Sequence, residues 1–144
     1  MDHETLFSIA STIAAAGWVT LAVLPGRRWV TERLCVWIIP GLLGLAYAIL
    51  LASHLPRAAG GFGSLAEVAA LFETSGLLLA GWLHYLAFDL FVGAWIAREG
   101  RRAGLPHLAL LPCFLLTFLA GPVGFLLFLA TRQLFARHSP EISS

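Results

Sequence analysis

The chain has 144 residues, room for one domain, and is 59% hydrophobic and 12% charged with a mean hydropathy of +0.85. Soluble domains carry roughly 25% charged residues, so an ordinary soluble fold is excluded and a single integral membrane domain over residues 1–144 is expected. The net charge is +1, and all nine basic residues are Arg, set in short clusters between apolar runs. No continuous basic stripe of the kind nucleic acid needs is present, so nucleic acid is not expected as a partner.

The opening MDHETLF is acidic, unlike the positive start of a secretory signal, so the first apolar segment is expected to stay in the mature protein. A helix that crosses a bilayer needs about 20 mostly apolar residues. The first such segment runs over 5–24 and stops at Pro25 and Gly26; RRWVTER follows. The second runs over 34–55 and stops at Pro56. The loop after it contains RAAGGFG, a turn region, and then SLAEVAALF. Ser64 and Glu67 have the spacing of a capping box, and Leu65, Val68, Ala69 and Phe72 share one helical face. A short amphipathic helix on the outer membrane surface fits that pattern; a plain connector, or a helix continuous with the third segment, is the alternative. The third segment covers 74–97 and the fourth 106–135. The expected fold is therefore all-α, a four-helix transmembrane bundle with a short amphipathic helix in the outer loop.

Orientation follows from the arginines. Arg27, Arg28 and Arg33 lie in the first loop and Arg98, Arg101 and Arg102 in the third, whereas the middle loop holds Arg57 beside Glu67 and Glu73. The positive-inside rule places loops one and three in the cytoplasm and both termini outside. Arg132 and Arg137, near the C-terminus, oppose that arrangement.

The third segment, GWLHYLAFDLFVGAWIARE, carries His84 and Asp89 in an otherwise apolar run. At 1.5 Å per residue each lies about 12 Å from its nearer membrane surface. An ionisable group at that depth costs several kcal/mol unless paired or neutral, so both are expected to face the bundle interior. Five residues at 100° per residue set the two about 140° apart around the helix. Asp89 then shares a face with Trp82, Tyr85 and Gly93, and His84 with Leu77, Gly81 and Phe88; Glu73 falls near the His84 face at the outer rim. A direct His84–Asp89 pair is not expected, and each needs a partner on another helix. Depth counting puts Tyr47 and AGPVG level with His84, and Trp18 and Thr117 level with Asp89.

In GPVG, residues 121–124, Pro122 cannot donate its backbone N–H and frees a carbonyl one turn earlier. Such a break is tolerated in a membrane where protein or a cavity satisfies the backbone again, and it can serve packing or shape a ligand site. His84 has an ordinary reading as an interhelical hydrogen-bonding group. Asp89 is harder to explain by packing. A carboxyl in hydrocarbon favours its neutral form, which is a credible general acid.

No GxGxxG, Walker, HExxH or GxSxG motif occurs. Cys35 and Cys113 sit in apolar runs and read as small buried hydrophobes. His3, His54, His107 and His138 fall near helix ends or in the tails with no i, i+4 pair, so no metal site is expected. Haem ligation by His84 lacks a second axial histidine at its depth. Five Trp and ten Phe suit lipid contact and also a polyene ligand.

At WLHYLAFDLFVGAWI the chain resembles the abscisic acid-deficient-type membrane family, whose plant members take part in neoxanthin formation. The resemblance is carried by Trp82, His84, Asp89, Leu90 and Phe91, by Gly121, Pro122 and Gly124, and by the four-helix layout. It covers most of the chain. Family members often have a basic residue after DLFVG, where this chain has Ala94; if that residue helps to bind substrate, the activity here would differ. The resemblance implies action on or with a carotenoid in a bacterial-type inner membrane or a plastid membrane. In the plant reaction a 5,6-epoxide opens, a proton leaves C7, and an allene with a tertiary alcohol forms, with no redox cofactor needed. That chemistry asks for an acid and a base. Asp89 is assigned as acid and His84 as base, with Glu73 the other carboxylate near the membrane. Trp82, Tyr85, Tyr47, Thr117 and Pro122 are the candidate contacts for a carotenoid or other apolar ligand. The alternative is a non-catalytic membrane protein that binds carotenoid or stabilises a larger complex. A homo-oligomer is compatible with either reading, and a small transporter or proton channel is less favoured.

Overall fold

A computed structural model describes residues 2–24 and 27–138 of the chain. Helix α1 spans His3–Val23, with Asp2 capping its first turn by accepting from the Thr5 N–H at 2.9 Å. The second apolar run opens as a π-helical stretch, Val30–Ile38, and continues as α2, Ile39–His54, ending in a 3₁₀ turn at Leu55–Arg57. Pro40 lies at the junction and has no N–H to give. The Ile39 N–H reaches Leu34, five residues back, so the wide turn absorbs the missing bond.

Helix α3, Leu65–Phe72, is the short helix expected in the middle loop. The Ser64 hydroxyl accepts from the Glu67 N–H at 3.2 Å, and the Glu67 carboxylate accepts from the Gly63 N–H at 3.0 Å, which closes the reciprocal cap. Helix α4, Ser75–Arg102, ends in a Schellman turn: Leu105 N–H bonds to Gly100, Gly104 N–H bonds to Arg101, and Gly104 takes φ 67°. Helix α5 spans His107–His138. The described residues contain no strand, and four helices, at 3–23, 31–57, 75–102 and 107–136, are long and apolar enough to cross a membrane.

Helix α4 is central, with α1, α2, α3 and α5 packed around it. Leu83, Leu90, Ala94, Ile96 and Ala97 are fully buried on it. Small residues admit large neighbours: the Trp18 ring fills the space that a side chain at Gly93 would need, and Leu90 does the same at Gly17. Cys35 and Cys113 are buried in this core, as expected. At one end the Arg101 guanidinium donates to the Thr31 hydroxyl at 3.1 Å, and the His107 ring donates to the Ala22 carbonyl at 2.7 Å, so the first and third loops meet. At the opposite end the His3 ring lies 3.0 Å from the Ser75 hydroxyl and 5.5 Å from the His54 ring.

The fourth segment departs from the expected straight span. Ala120 leaves helical geometry at φ −157°, ψ 67°, just before Gly121 and Pro122. Up to that point α5 runs antiparallel to α4: Leu110 packs on Gly100, and Phe118 bonds to Tyr85. Beyond it the direction reverses. Gly121 packs on Asp89, Phe125 and Phe128 meet Trp95 at 5.6 and 5.5 Å, and Arg132 reaches Glu99 at 3.8 Å. Gly124 lies against the backbone of Thr117 and Cys113, which closes the hairpin. Without Cβ atoms at 121 and 124, and without an N–H at 122, the two halves fold together instead of continuing. The expectation that both termini share one side is therefore corrected: the far end of α5 joins the arginine-rich end, and His3 stands at the other. Arg132 therefore lies at the same end of the bundle as Glu99 and the other clustered arginines.

Candidate functional site

Asp89 lies midway along α4 with 9% of its surface exposed. Its Oδ1 packs against Gly121 at the break in α5, and its Oδ2 is buried with no hydrogen-bond partner. Tyr85, one turn earlier on the same face, is its polar neighbour. The Tyr85 hydroxyl donates to the Phe118 carbonyl at 3.0 Å. That carbonyl lies in the last turn before the break at Ala120, where the helix ends and leaves its final carbonyls without intrahelical donors.

From Tyr85 an aromatic row climbs toward the His3 end. Tyr85 stacks on Trp82 at 5.4 Å and 27°, and Trp82 meets Phe7 at 5.4 Å. The Trp82 indole N–H donates to the Ser11 hydroxyl at 3.0 Å, fixing the ring between α1 and α4. These rings wall a groove of about 590 Å³ with His3, Glu4 and Ser75 at one end and Tyr85 at the other; Asp89 is not in its wall. The volume lies within the range of ligand pockets, and the apolar lining with few polar groups is their usual character. Beyond Phe118 a second, wholly apolar groove of about 280 Å³ follows α1 past Trp18 and Phe114.

His84 does not face the bundle interior. It is exposed, on the side of α4 turned toward α2 and α3. Its ring lies 5.8 Å from Tyr47 and 4.7 Å from Phe88, in a separate groove of about 190 Å³ shared with Leu77 and Phe72. The physical reason is the angular spacing: α1 and α5 take the Asp89 face, and five residues of helix turn His84 to the other side. Tyr47 is beside His84, as depth counting expects. GPVG is not; it meets Asp89, because the fold-back halts α5 at mid-depth. Thr117 is fully buried, but its hydroxyl donates to the Cys113 carbonyl at 2.7 Å inside the α5 hairpin. Glu73 is exposed at the end of α3.

The structure thus gathers Asp89, Tyr85, Trp82 and the Pro122 break on one side and leaves His84 with Tyr47 on another. Gly121, Phe118, Phe7 and Ser11 complete the site without having been singled out from the sequence. Ala94 is fully buried. Among the described residues no three His, Cys, Asp or Glu side chains converge on a metal-sized point.

No curated protein and no solved structure matches the chain. The family model described as ABA DEFICIENT 4-like matches residues 5–128, from the first turn of α1 into the second half of α5, and so includes both the His84–Asp89 stretch and the Pro122 break. By that match the chain belongs to the ABA DEFICIENT 4-like family.

Proposed function

We propose that this membrane protein acts on or with a carotenoid, holding one end of it in the Phe7–Trp82–Tyr85 groove. The observation that carries the reading is a nine-tenths-buried carboxyl, Asp89, packed at a broken helix beside the Tyr85 end of an aromatic groove. Flat rings on one wall suit a conjugated chain, and the few polar atoms at the Tyr85 end suit an oxygenated end group. The arginine-rich end is assigned to the cytoplasm, in a bacterial-type inner membrane or a plastid membrane. The proposed chemistry is acid/base isomerisation of the end group, in which an epoxide C–O bond and a C–H bond break while an O–H bond and a C=C bond form.

The experiment is expression in cells that make an epoxy-carotenoid, followed by mass spectrometry of the pigments carried through detergent purification. An isomerised pigment with the wild type, lost with Asp89→Asn while the protein still accumulates, supports the reading. Conversion undiminished in Asp89→Asn overturns it. A second reading, carotenoid binding without chemistry, is favoured by the separation of His84 from Asp89, which leaves no His–Asp pair. An unaltered carotenoid bound equally by wild type and Asp89→Asn is its signature.

A further inference from the structure

We infer that Tyr85 is the group that passes protons between the ligand and Asp89. The inference rests on the catalytic reading above and adds the catalytic residue which that reading lacks once His84 is placed elsewhere. Three observations carry it. Tyr85 lines the groove and Asp89 does not, so a ligand seated there touches the phenol first. Asp89 is buried behind it, with Tyr85 as its polar neighbour. The Tyr85 hydrogen is already directed to the Phe118 carbonyl at 3.0 Å, so the lone pairs of its oxygen are left to accept from Asp89.

A phenol has one hydrogen. In the structure the Asp89 Oδ2 has no hydrogen-bond partner. With the phenol hydrogen on Phe118, a protonated Asp89 gains a partner by donating to the phenol oxygen, so the relay runs from carboxylic acid to phenol oxygen and from phenol hydrogen to carbonyl. When a ligand oxygen arrives at the Tyr85 end of the groove, the Tyr85 hydroxyl turns from Phe118 toward it. The Tyr85 O–H bond breaks as a ligand O–H bond forms, and the epoxide C–O electron pair goes to oxygen. The Asp89 proton restores the phenol, which leaves a carboxylate and a cationic ligand. In the return step the ligand C–H electron pair becomes the new C=C bond. Its proton goes to the Tyr85 oxygen, whose own proton returns to Asp89. The ligand is isomerised, both residues end as they began, and no co-reactant is consumed.

The test uses full-length protein in vesicles with an epoxy-carotenoid, comparing wild type, Tyr85→Phe, Asp89→Asn and the double variant. Because Tyr85→Phe also orphans Phe118, its unfolding midpoint and bound pigment are measured beside turnover, so that a loss of folding is separated from a loss of chemistry. The expected result is that Tyr85→Phe keeps its bound pigment and its KM while kcat falls about a hundredfold or more, within the range for general acid/base groups. The double variant should fall no further than Asp89→Asn alone. The infrared carboxylic-acid band that disappears in Asp89→Asn should shift in Tyr85→Phe, a readout independent of turnover. Wild-type conversion by Tyr85→Phe, or an unshifted carboxyl band, overturns the relay alone. A wild type that binds pigment and converts none overturns the catalytic reading beneath it.

Discussion

The Tyr85 hydroxyl sits 3.0 Å from the Phe118 carbonyl, an acceptor in the last turn before α5 breaks at Ala120. Tyr85, 33 positions before Phe118 in the chain, satisfies that carbonyl. Interhelical side-chain bonds in membrane proteins average about 0.6 kcal/mol and reach about 1.7. This one closes an orphan carbonyl, so Tyr85→Phe should cost about 1 kcal/mol of stability. Denaturation in detergent measures it, and a Tyr85→Phe variant as stable as the wild type would show that the bond contributes nothing.

The α5 hairpin needs bare backbone at two points. A Cβ at Gly121 would meet the Asp89 carboxyl, and one at Gly124 would meet the backbone of Thr117 and Cys113. Gly121→Ala and Gly124→Ala should each destabilise by about 1–3 kcal/mol, the usual range for overpacking. Gly41→Ala and Gly44→Ala face open space and should change little. Thermal unfolding of the four variants side by side decides whether the hairpin is as tight as described.

The fold-back makes a prediction about sidedness. In a background lacking Cys35 and Cys113, single cysteines at Ala103→Cys and Gln133→Cys should react with a membrane-impermeant reagent from the same side. Ser64→Cys should react from the other. Labelling of Gln133→Cys together with Ser64→Cys would mean that α5 crosses the bilayer after all.

His84 is exposed between α2 and α3, so His84→Ala should shift stability by no more than about 0.5 kcal/mol, as surface changes do. It should also leave pigment conversion near the wild-type rate, while Asp89→Asn abolishes it. Equal losses in the two variants, measured as product per bound carotenoid, would restore His84 to the chemistry.

At the start of α1, hydrogen bonds from Thr5 hold the Asp2 carboxyl below its ordinary value of 3.8. A depressed carboxyl pKa stabilises the fold above the unfolded value, and the contribution disappears as pH falls through the folded one. The first turn of α1 should therefore exchange its amide hydrogens faster, relative to the rest of α1, as pH drops below 3.8. Asp2→Ala should exchange fast at every pH and show no such step.

The sequence by itself determined the membrane character, the four apolar helices, the capped helix between α2 and α4, and the angular separation of His84 from Asp89. Each of these is set by local composition or by the helical period, which short stretches of chain fix on their own. It also marked Pro122 as a break. Only the tertiary structure decided how far the chain turns there, because a proline removes a bond without saying where the next helix goes. The direction came from Gly121 seating on Asp89, Gly124 seating on the other half of α5, and Tyr85 reaching Phe118. Those contacts join positions far apart in the chain, and they determined which of the two titratable groups was buried and which was left facing outward.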